Sequence, residues 1–251
     1  MEIRVSENAA SLGKLSGQKA GDLIRSALVD KGAAVIILAT GTSQFNTLSQ
    51  LVSEPGIDWS KVTMFHLDEY LGIPDTHSAS FRKYLKERFV SQVPIGKYYL
   101  VNGENDGDAE CARLNDLISK HPVDVALVGI GENGHLAFND PPADFDTDSP
   151  YIVVDLDEMC RMQQLGEGWF KSLDEVPRQA ISMSIRQIMK SKSIICSVPD
   201  ERKATAVRNS IEEQINNMFP ASILQQHPKC FLFLDKQSAS KLSGEKHNLI
   251  A

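Results

Sequence analysis

A histidine and an aspartate follow a glycine-rich bend near the middle of this 251-residue chain, in the stretch 124–142, DVALVGIGENGHLAFNDPP. The apolar run 123–128 predicts a buried strand that ends at the bend. His135 follows the bend directly, and Asp140 lies five residues further on, where a carboxylate could orient the imidazole. The pattern predicts an acid–base site at a strand end, where open α/β sheets bind ligands. The bend contains Gly129, Gly131 and Gly134.

These glycines also match the G-x-G-x-x-G fingerprint of dinucleotide-binding proteins, and Asp155 lies about 20 residues further on, as that fingerprint requires. The fingerprint also needs a helix that begins at the third glycine, because the pyrophosphate rests on its N-terminus. Pro141, Pro142 and Pro150 interrupt the segment, and proline disrupts helix interiors. The stretch therefore does not favour dinucleotide binding.

A short polar loop, Thr40-Gly41-Thr42-Ser43, separates a predicted strand from a predicted helix. Hydroxyls and backbone N–H groups at a helix start can bind an anion. The loop alone is equally compatible with a helix cap that binds no ligand. It lacks the G-K-[ST] of a Walker A loop.

Two adjacent carboxylates, Asp68 and Glu69, follow the predicted strand 62–67. Successive side chains of an extended chain point to opposite sides, so only one of the two is expected to face a pocket at the strand end. A desolvated carboxylate there could act as a proton-transfer base. Taken alone, the pair is more typical of a turn.

Lys203 lies in the segment Asp200-Glu201-Arg202-Lys203, at the start of a predicted helix. The helix dipole disfavours a cation at this end. The lysine is therefore either solvated or directed at an anion. From its position in the helix alone, a solvated lysine is the favoured interpretation.

Strand-like and helical segments alternate along the chain, which predicts an α/β fold: one doubly wound, mostly parallel, Rossmann-like sheet with helices on both faces, in a single domain over 1–251. The polar clusters fall at its strand ends. Segment 157–176 is unassigned, and 236–251 is expected to fray. Predicted strands are 33–39, 62–67, 97–101, 123–128, 151–156, 193–198 and 230–234, whereas 180–185 is left without an assignment. Predicted helices are 6–31, 45–52, 78–90 with Ser78 as cap, 108–120, 200–213 and 218–225.

Composition is that of a soluble globular protein, with 42% hydrophobic and 24% charged residues. The net charge of -7 argues against a nucleic-acid partner. The sequence shows neither a secretory signal nor an apolar run long enough to span a membrane, so we expect a cytoplasmic protein without a membrane partner. The four cysteines are widely spaced, which predicts reduced core thiols and no metal site.

Together these segments resemble the glucosamine-6-phosphate deaminase/isomerase family over residues 30–235. The resemblance rests on ATGTS (39–43), FHLDEYLGIP (65–74), the stretch 124–142, VPRQAISMSI (176–185), the Lys203 segment and LQQHP (224–228).

The resemblance implies isomerisation of a 2-amino-2-deoxyhexose 6-phosphate to a ketohexose 6-phosphate with loss of ammonia. It implies a small sugar phosphate as partner and neither cofactor nor metal, and it leaves a homo-oligomer possible. By this resemblance Asp68 is the base between C1 and C2, and His135 opens the sugar ring with the support of Asn133 and Asp140. The implied binding residues are Thr40, Gly41, Thr42, Ser43, Lys203, Glu69, Gly131 and Gly134.

The chain departs from the family pattern at several positions. Asn133 stands where many members have Asp and cannot relay a proton, whereas Asp140 stands where Glu is common. Gln44 replaces a frequent proline, which should loosen the phosphate loop. The arginine that many members direct at the phosphate has no clear counterpart in QQLGEGWFKSLDEVP (163–177).

Two other functions remain open at this point. A 6-phosphogluconolactonase shares the glycine-histidine core, but its histidine is usually followed by Thr-Ala-Ser-Leu-Phe-Pro, whereas LAFNDPP follows here. A non-catalytic sugar-phosphate sensor would use the same pocket, but such sensors usually carry a DNA-binding domain. Glucosamine 6-phosphate and galactosamine 6-phosphate, which differ at C4, both remain candidate substrates.

Overall fold

The computed structural model describes residues 1–243 and 249–250. In this part of the chain the main sheet has eight strands in the order β11-β1-β10-β9-β6-β2-β3-β5, and all of its strand pairs are parallel. The strands are β1 (Glu2–Ser6), β2 (Ala34–Leu38), β3 (Val62–His66), β5 (Lys97–Tyr99), β6 (Val125–Val128), β9 (Ser193–Val198), β10 (Cys230–Asp235) and β11 (Leu249–Ile250). The central strands β2, β6 and β9 are buried throughout, as expected of strands covered on both faces.

Helices cover both faces of this sheet and divide its side chains into two cores. Between strands the chain also forms short 3₁₀ turns, and Lys86–Val90 continues a helix in π geometry. The arrangement confirms the predicted α/β class. The α-helices are α1 (Ala9–Lys31), α2 (Phe45–Val52), α3 (Phe81–Leu85), α4 (Gly107–Ser119), α5 (Glu158–Gly166), α6 (Ile185–Met189) and α7 (Ala204–Glu212).

A second, three-stranded antiparallel sheet lies beside the main one, in the order β4-β8-β7. It consists of β4 (Asp68–Tyr70), β7 (Tyr151–Asp155) and β8 (Gln179–Met183). The segment 151–156 was predicted as a strand, whereas 68–70 and 179–183 were not, and apolar composition does not show which sheet a strand joins. The consequence for the site is that Asp68 leaves the main sheet just beyond β3 and is fixed by pairing with Ser182.

The chain reverses its direction of winding next to β2. From β2 it proceeds outward to β3 and β5, and then α4 carries it back to β6 on the other side of β2. The loops after β2 and β6 therefore separate and leave a crevice at the carboxyl ends of the strands, where doubly wound sheets bind ligands.

Helices α1 and α2 approach closely because glycines of α1 face α2. A Cβ at Gly13 would lie 2.2 Å from Cβ and 2.7 Å from the carbonyl carbon of Asn46. At Gly21 a Cβ would meet only the flexible side chain of Glu54, at 2.9 Å or more. Since α2 directly follows the polar loop 40–43, this close packing helps to position the loop.

We expect Gly13→Ala to destabilise the protein by about 1–2 kcal/mol, because the clash with backbone outweighs the roughly 1 kcal/mol gain in helix propensity. Gly21→Ala is the matched control, and it should be neutral or stabilising. Urea denaturation of the two variants measures both effects. Equal stability of Gly13→Ala and the wild type would contradict the packing argument.

Several boundaries differ from the sequence predictions. The strand β1 was not predicted, and α1 begins at Ala9 rather than at residue 6, with Asn8 as its cap. Helix α3 is capped by Ser80 and not by Ser78, because the Ser80 hydroxyl accepts from the N–H of Lys83. Residues 249–250 pair with β1 instead of fraying, whereas 244–248 and 251 lie outside the described residues.

Candidate active site

A cavity of about 320 Å³ lies at the carboxyl ends of the β-strands, within the usual range for small-ligand sites. It brings together the loop after β2, the start of β4, the glycine bend after β6, the inner face of α5 and the turn before α7. Of the residues predicted from sequence, eight line it: Thr40, Gly41, Thr42, Ser43, Asp68, Gly131, His135 and Lys203.

The loop 40–43 presents backbone and hydroxyl donors to the cavity. Gly41 adopts φ +91°, a conformation that favours glycine, and its carbonyl accepts from the hydroxyl of Tyr84 at 3.0 Å. The N–H groups of Thr42 and Ser43 have no acceptor among the described residues. A loop with free N–H groups at a helix start suits an anion.

Gln44 does not loosen this loop, which corrects the expectation from the missing proline. The side chain is 1% exposed, and its Nε2 donates to the carbonyl of Ser197 in β9 and to Oγ of Ser43, both at 3.2 Å. This buried hydrogen bond to β9, two strands away from β2 in the sheet, therefore makes the loop rigid where other members have a proline.

Lys203 faces the same loop from the turn before α7. It is 6% exposed, and no described residue accepts a hydrogen bond from its Nζ or pairs with it in an ion pair. Burial lowers its pKa, although Glu132 and Glu167 oppose this effect. A desolvated cation without a fixed partner has strong affinity for an anion.

A strained residue, Asp200, begins the turn that carries Lys203. Asp200 has φ +89°, which is unusual for any residue other than glycine, and its N–H donates to both carboxylate oxygens of Asp235. Its own carboxylate binds Arg202, which also lines the cavity. Sequence reasoning did not identify Arg202 as a site residue, since three-dimensional proximity alone places it beside Lys203.

Asp68 enters the cavity without a hydrogen-bond partner in the described part of the chain. It is 5% exposed. Burial, followed by the negative charge of Glu69, raises its pKa to about 8. A carboxyl group with a pKa near neutrality and no fixed donor can accept and return a proton.

Glu69 does not reach the cavity, which corrects the expectation that it binds substrate. Its side chain is fully buried on the opposite side of β4. It accepts from the Ser80 hydroxyl and from the N–H groups of Phe81 and Arg82, at 2.8–3.1 Å. Burial raises its pKa, although these bonds oppose the rise. The predicted alternation of the two carboxylates is therefore confirmed, and Glu69 anchors α3.

His135 lies against Gly131 and contacts Asp140. A Cβ at Gly131 would come within 2.2–2.5 Å of three atoms of the imidazole ring, so only glycine fits. Nδ1 of His135 lies 3.0 Å from Oδ1 of Asp140, although the pair is poorly aligned for a hydrogen bond. Burial acts to raise the pKa of Asp140, but His135 and Asn133 outweigh it and the pKa is lowered. Asp140 thus stays ionised beside the imidazole.

Gly134 does not line the cavity, contrary to the expectation that it binds substrate. It has φ +90°, and its carbonyl accepts from the N–H of Ala221. Its role is to make the bend. No helix begins there, as residues 135–150 contain none, which agrees with the sequence argument against a dinucleotide fingerprint.

Asn133 bridges two carboxylates. Its Nδ2 donates to Asp140 at 2.9 Å and to Asp157 at 3.1 Å, and its Oδ1 accepts from the N–H of His135. The backbone N–H of Asp157 donates in turn to Asp140. An aspartate at position 133 would be a third carboxylate in this cluster, so the amide suits the surroundings of this chain.

We expect Asn133→Asp to destabilise the protein by about 1–3 kcal/mol above pH 6, because it replaces two donated hydrogen bonds by repulsion between carboxylates. Adding Asp157→Asn should restore most of this stability, because the amide at position 157 can then donate to the carboxylate at position 133. Thermal denaturation of the two single variants and the double variant forms the test. Additive losses in the double variant would show that the two positions are not coupled.

The structure also brings Cys160 close to His135 and Asp140, with one potential metal-ligand atom of each within 4.8 Å of the others. Both oxygens of Asp140 already accept hydrogen bonds. Burial raises the pKa of the Cys160 thiol far above its usual range, and the nearby carboxylates add to the rise. The donor set therefore suits a hydrogen-bonded cluster better than a metal ion. All four cysteines are buried and free, as predicted.

The inner face of α5 forms a wall of the cavity that the sequence did not assign. Gln163, Gln164 and Glu167 line it. Gln163 accepts from the N–H of Glu132 at 2.8 Å and donates to Glu167 at 3.3 Å. A Cβ on Gly41 would lie 3.8 Å from Oε2 of Glu167, so α5 ends beside the polar loop. The helix exposes Met159 and Met162 but buries Gln164, so its apolar residues did not mark the buried face and the helix was not predicted.

Comparison with known proteins identifies the family. Residues 7–232 match the family model described as glucosamine-6-phosphate isomerases/6-phosphogluconolactonase. The chain belongs to this family. A glucosamine-6-phosphate deaminase of Lactobacillus delbrueckii subsp. bulgaricus is 35% identical over 96% of this chain and 100% of its own length. One of Streptococcus pyogenes serotype M1 is 37% identical over 90% and 94%, respectively.

Solved structures agree with this assignment. A monomeric glucosamine-6-phosphate deaminase superposes with a TM-score of 0.86 at 32% identity, covering 96% of this chain and 99% of its own. The 6-phosphogluconolactonase of Trypanosoma brucei superposes with a TM-score of 0.76 at 17% identity, covering 96% and 98%, and shares the fold. No helix in the described residues combines the length and apolar character needed to cross a membrane.

Proposed function

We propose that this enzyme converts glucosamine 6-phosphate to a ketohexose 6-phosphate and ammonia. The observation that carries the proposal is the pairing, in one cavity, of an unpartnered carboxyl group with a raised pKa, Asp68, and an unpaired buried cation, Lys203. The relatives named above as glucosamine-6-phosphate deaminases support the choice of reaction and substrate.

The phosphate would bind between the loop 40–43 and Lys203. Free N–H groups and hydroxyls of the loop donate to its oxygens, and Lys203 supplies the charge. We assign to Arg202, which lines the cavity and directly precedes Lys203, the role of the phosphate arginine that has no counterpart in 163–177. Glu132 and Asp200 hold that guanidinium in position.

Ring opening would use His135. The imidazole moves a proton between the C1 hydroxyl and the ring oxygen, so that the ring C–O bond breaks and the C1 aldehyde forms. The charge of Asp140, 3.0 Å from Nδ1, stabilises the protonated imidazole, and Asn133 holds the Asp140 carboxylate in place through a hydrogen bond. Gly131 allows the ring to lie at the cavity wall.

Proton transfer would use Asp68. The carboxylate removes the proton from C2 of the open-chain 2-ammonio aldehyde while the ammonium group passes one proton to O1, which gives an enolamine, and the carboxyl group then returns its proton to C1. The product has an iminium at C2, and addition of water there releases ammonium and leaves the C2 ketone. Holding the phosphate fixes the carbon chain relative to Asp68, which contributes by orientation.

Ammonia release from the purified protein tests this proposal, with glucosamine 6-phosphate and, separately, galactosamine 6-phosphate. Release from the glucosamine ester is the expected result. Release from the galactosamine ester alone would change the assigned epimer. No release from either, with hydrolysis of 6-phosphogluconolactone, would replace the proposed reaction by lactone hydrolysis.

A further inference from the structure

The inner face of α5 carries an amide whose hydrogen bonds are only half used. Gln164 lines the cavity and is 4% exposed. Its Oε1 accepts from the hydroxyl of Tyr70 at 2.6 Å. Its Nε2 donates to no acceptor within the described ranges. This atom is not fully buried by protein, so it is accessible from the cavity that Gln164 lines.

Tyr70 fixes which end of this amide faces the cavity. The tyrosine is fully buried, and its ring packs against Phe81, Phe138 and Phe170. Its hydroxyl has no other partner among residues 1–243, so the opposite amide orientation would leave a buried O–H without an acceptor. The N–H groups of Gln164 are therefore held toward the ligand space.

Gln164 lies between the two ends of the site. Cys160, about 6 Å earlier along the helix, belongs to the cluster of His135 and Asp140. Glu167, about 4.5 Å further on, lies beside Gly41 of the phosphate loop. In a six-carbon substrate with its reacting carbons at the first end and its phosphate at the second end, the hydroxyls of the middle carbons C3 and C4 lie nearest to the middle of α5, where Gln164 is.

We propose that Gln164 donates a hydrogen bond from Nε2 to the C4 hydroxyl of the substrate and is the residue that selects the C4 epimer. The inference rests on the proposed deaminase function and goes beyond it, because it assigns the epimer preference to one side chain. Tyr70 is then a positioning residue that acts through Gln164 and does not touch the sugar.

A comparison of substrates and variants tests the C4 contact. Ammonia release is measured with glucosamine 6-phosphate and its 3-deoxy and 4-deoxy analogues, for the wild type, Gln164→Ala and Gln164→Met. We expect removal of the C4 hydroxyl to lower kcat/KM of the wild type about tenfold and that of both variants by twofold or less. Gln164→Met keeps the length of the side chain but has no N–H donor and only a weak acceptor, so it serves if Gln164→Ala does not fold.

Two further variants separate the contact from general effects on α5. Met162→Ala changes an exposed side chain of the same helix and should keep the tenfold sensitivity of the wild type. Tyr70→Phe should lower kcat/KM on glucosamine 6-phosphate more than kcat/KM on the 4-deoxy analogue. The sensitivity to loss of the C4 hydroxyl should therefore fall below tenfold. In the wild type the preference for glucosamine over galactosamine 6-phosphate should exceed that of Gln164→Ala.

The outcomes distinguish this inference from the proposed function. Equal sensitivity of wild type and variants to loss of the C4 hydroxyl would overturn the role of Gln164 while the deaminase stands. Coupling to the 3-deoxy analogue alone would also overturn the C4 assignment. Absence of ammonia from both epimers in the wild type would overturn the proposed function itself and this inference with it.

Discussion

Asp68→Asn is expected to lower kcat on glucosamine 6-phosphate by roughly 10³-fold while KM changes less than about threefold, because loss of a positioned base costs about 10²–10⁴ in rate. The amide keeps the shape of the carboxyl group but cannot take the C2 proton. Steady-state kinetics of ammonia release measures both parameters. A kcat within tenfold of the wild type would show that another group is the base.

Glu69→Gln provides the matched control on the next residue of the same strand. Glu69 anchors α3 and does not reach the cavity, but its charge helps to raise the pKa of Asp68. This variant should therefore lose stability and shift the pH limb of kcat/KM downward, while the folded fraction keeps its kcat at pH 9, where Asp68 is ionised in both proteins. A large loss of kcat in Glu69→Gln at full folding would show that the two carboxylates act together.

The raised pKa of Asp68 also predicts how kcat/KM and the folding stability change with pH. Because the base must be ionised, kcat/KM should rise with pH along a limb centred near pH 8. The folded protein holds this proton more tightly than the unfolded chain does, so stability from this group falls as pH rises from about 4 through about 8. Asp68→Asn should therefore be more stable than the wild type at pH 9, by about 2 kcal/mol, and not at pH 4.

Lys203→Ala is expected to raise KM by about 10- to 100-fold with a smaller change in kcat, since a charged hydrogen bond to phosphate contributes roughly 1.5–3 kcal/mol in ground and transition states alike. Removing a buried cation without a partner should at the same time raise the melting temperature at neutral pH. Lys229→Ala, at an exposed lysine, is the control and should change neither quantity.

The opposite signs of the two effects make the Lys203 experiment decisive. A structural lysine would lose stability together with activity, whereas a phosphate ligand gains stability and loses affinity. An unchanged KM would show that the loop 40–43 binds the phosphate without help from Lys203.

The sequence predicted most of the parallel core, because short apolar runs such as 34–38 and 193–198 are buried on both faces and leave a strong signal. The sequence also predicted that the loop 40–43, Asp68 and the glycine bend meet in one cavity, since the carboxyl ends of parallel strands lie at the same edge of the sheet. It failed for β1, which is only partly buried and pairs with β10 over 220 residues away in sequence.

Within the site, the sequence could not distinguish residues that face the cavity from those that support it. Glu69 and Gly134 belong to motifs as conspicuous as those of Asp68 and Gly131, yet both point elsewhere. Gln164 and Arg202 lie outside the glycine bend and the Asp68–Glu69 pair, and only the packing of α5 and of the Asp200 turn brings them into the cavity. Local alternation shows that Asp68 and Glu69 point to opposite sides of the strand, but only the tertiary structure decides which side is the cavity.

The pairing of β1 with β10 constrains how the protein matures during translation. Strand β1 has β10 and β11 as its neighbours in the sheet, and both are made after every other described strand. A nascent chain must therefore keep residues 2–6 unpaired until residue 235 has left the ribosome, and Asp235, which holds the Asp200 turn and Lys203, arrives at the same moment. The catalytic pocket is thus completed in one late step, and shorter ribosome-bound chains should have no activity.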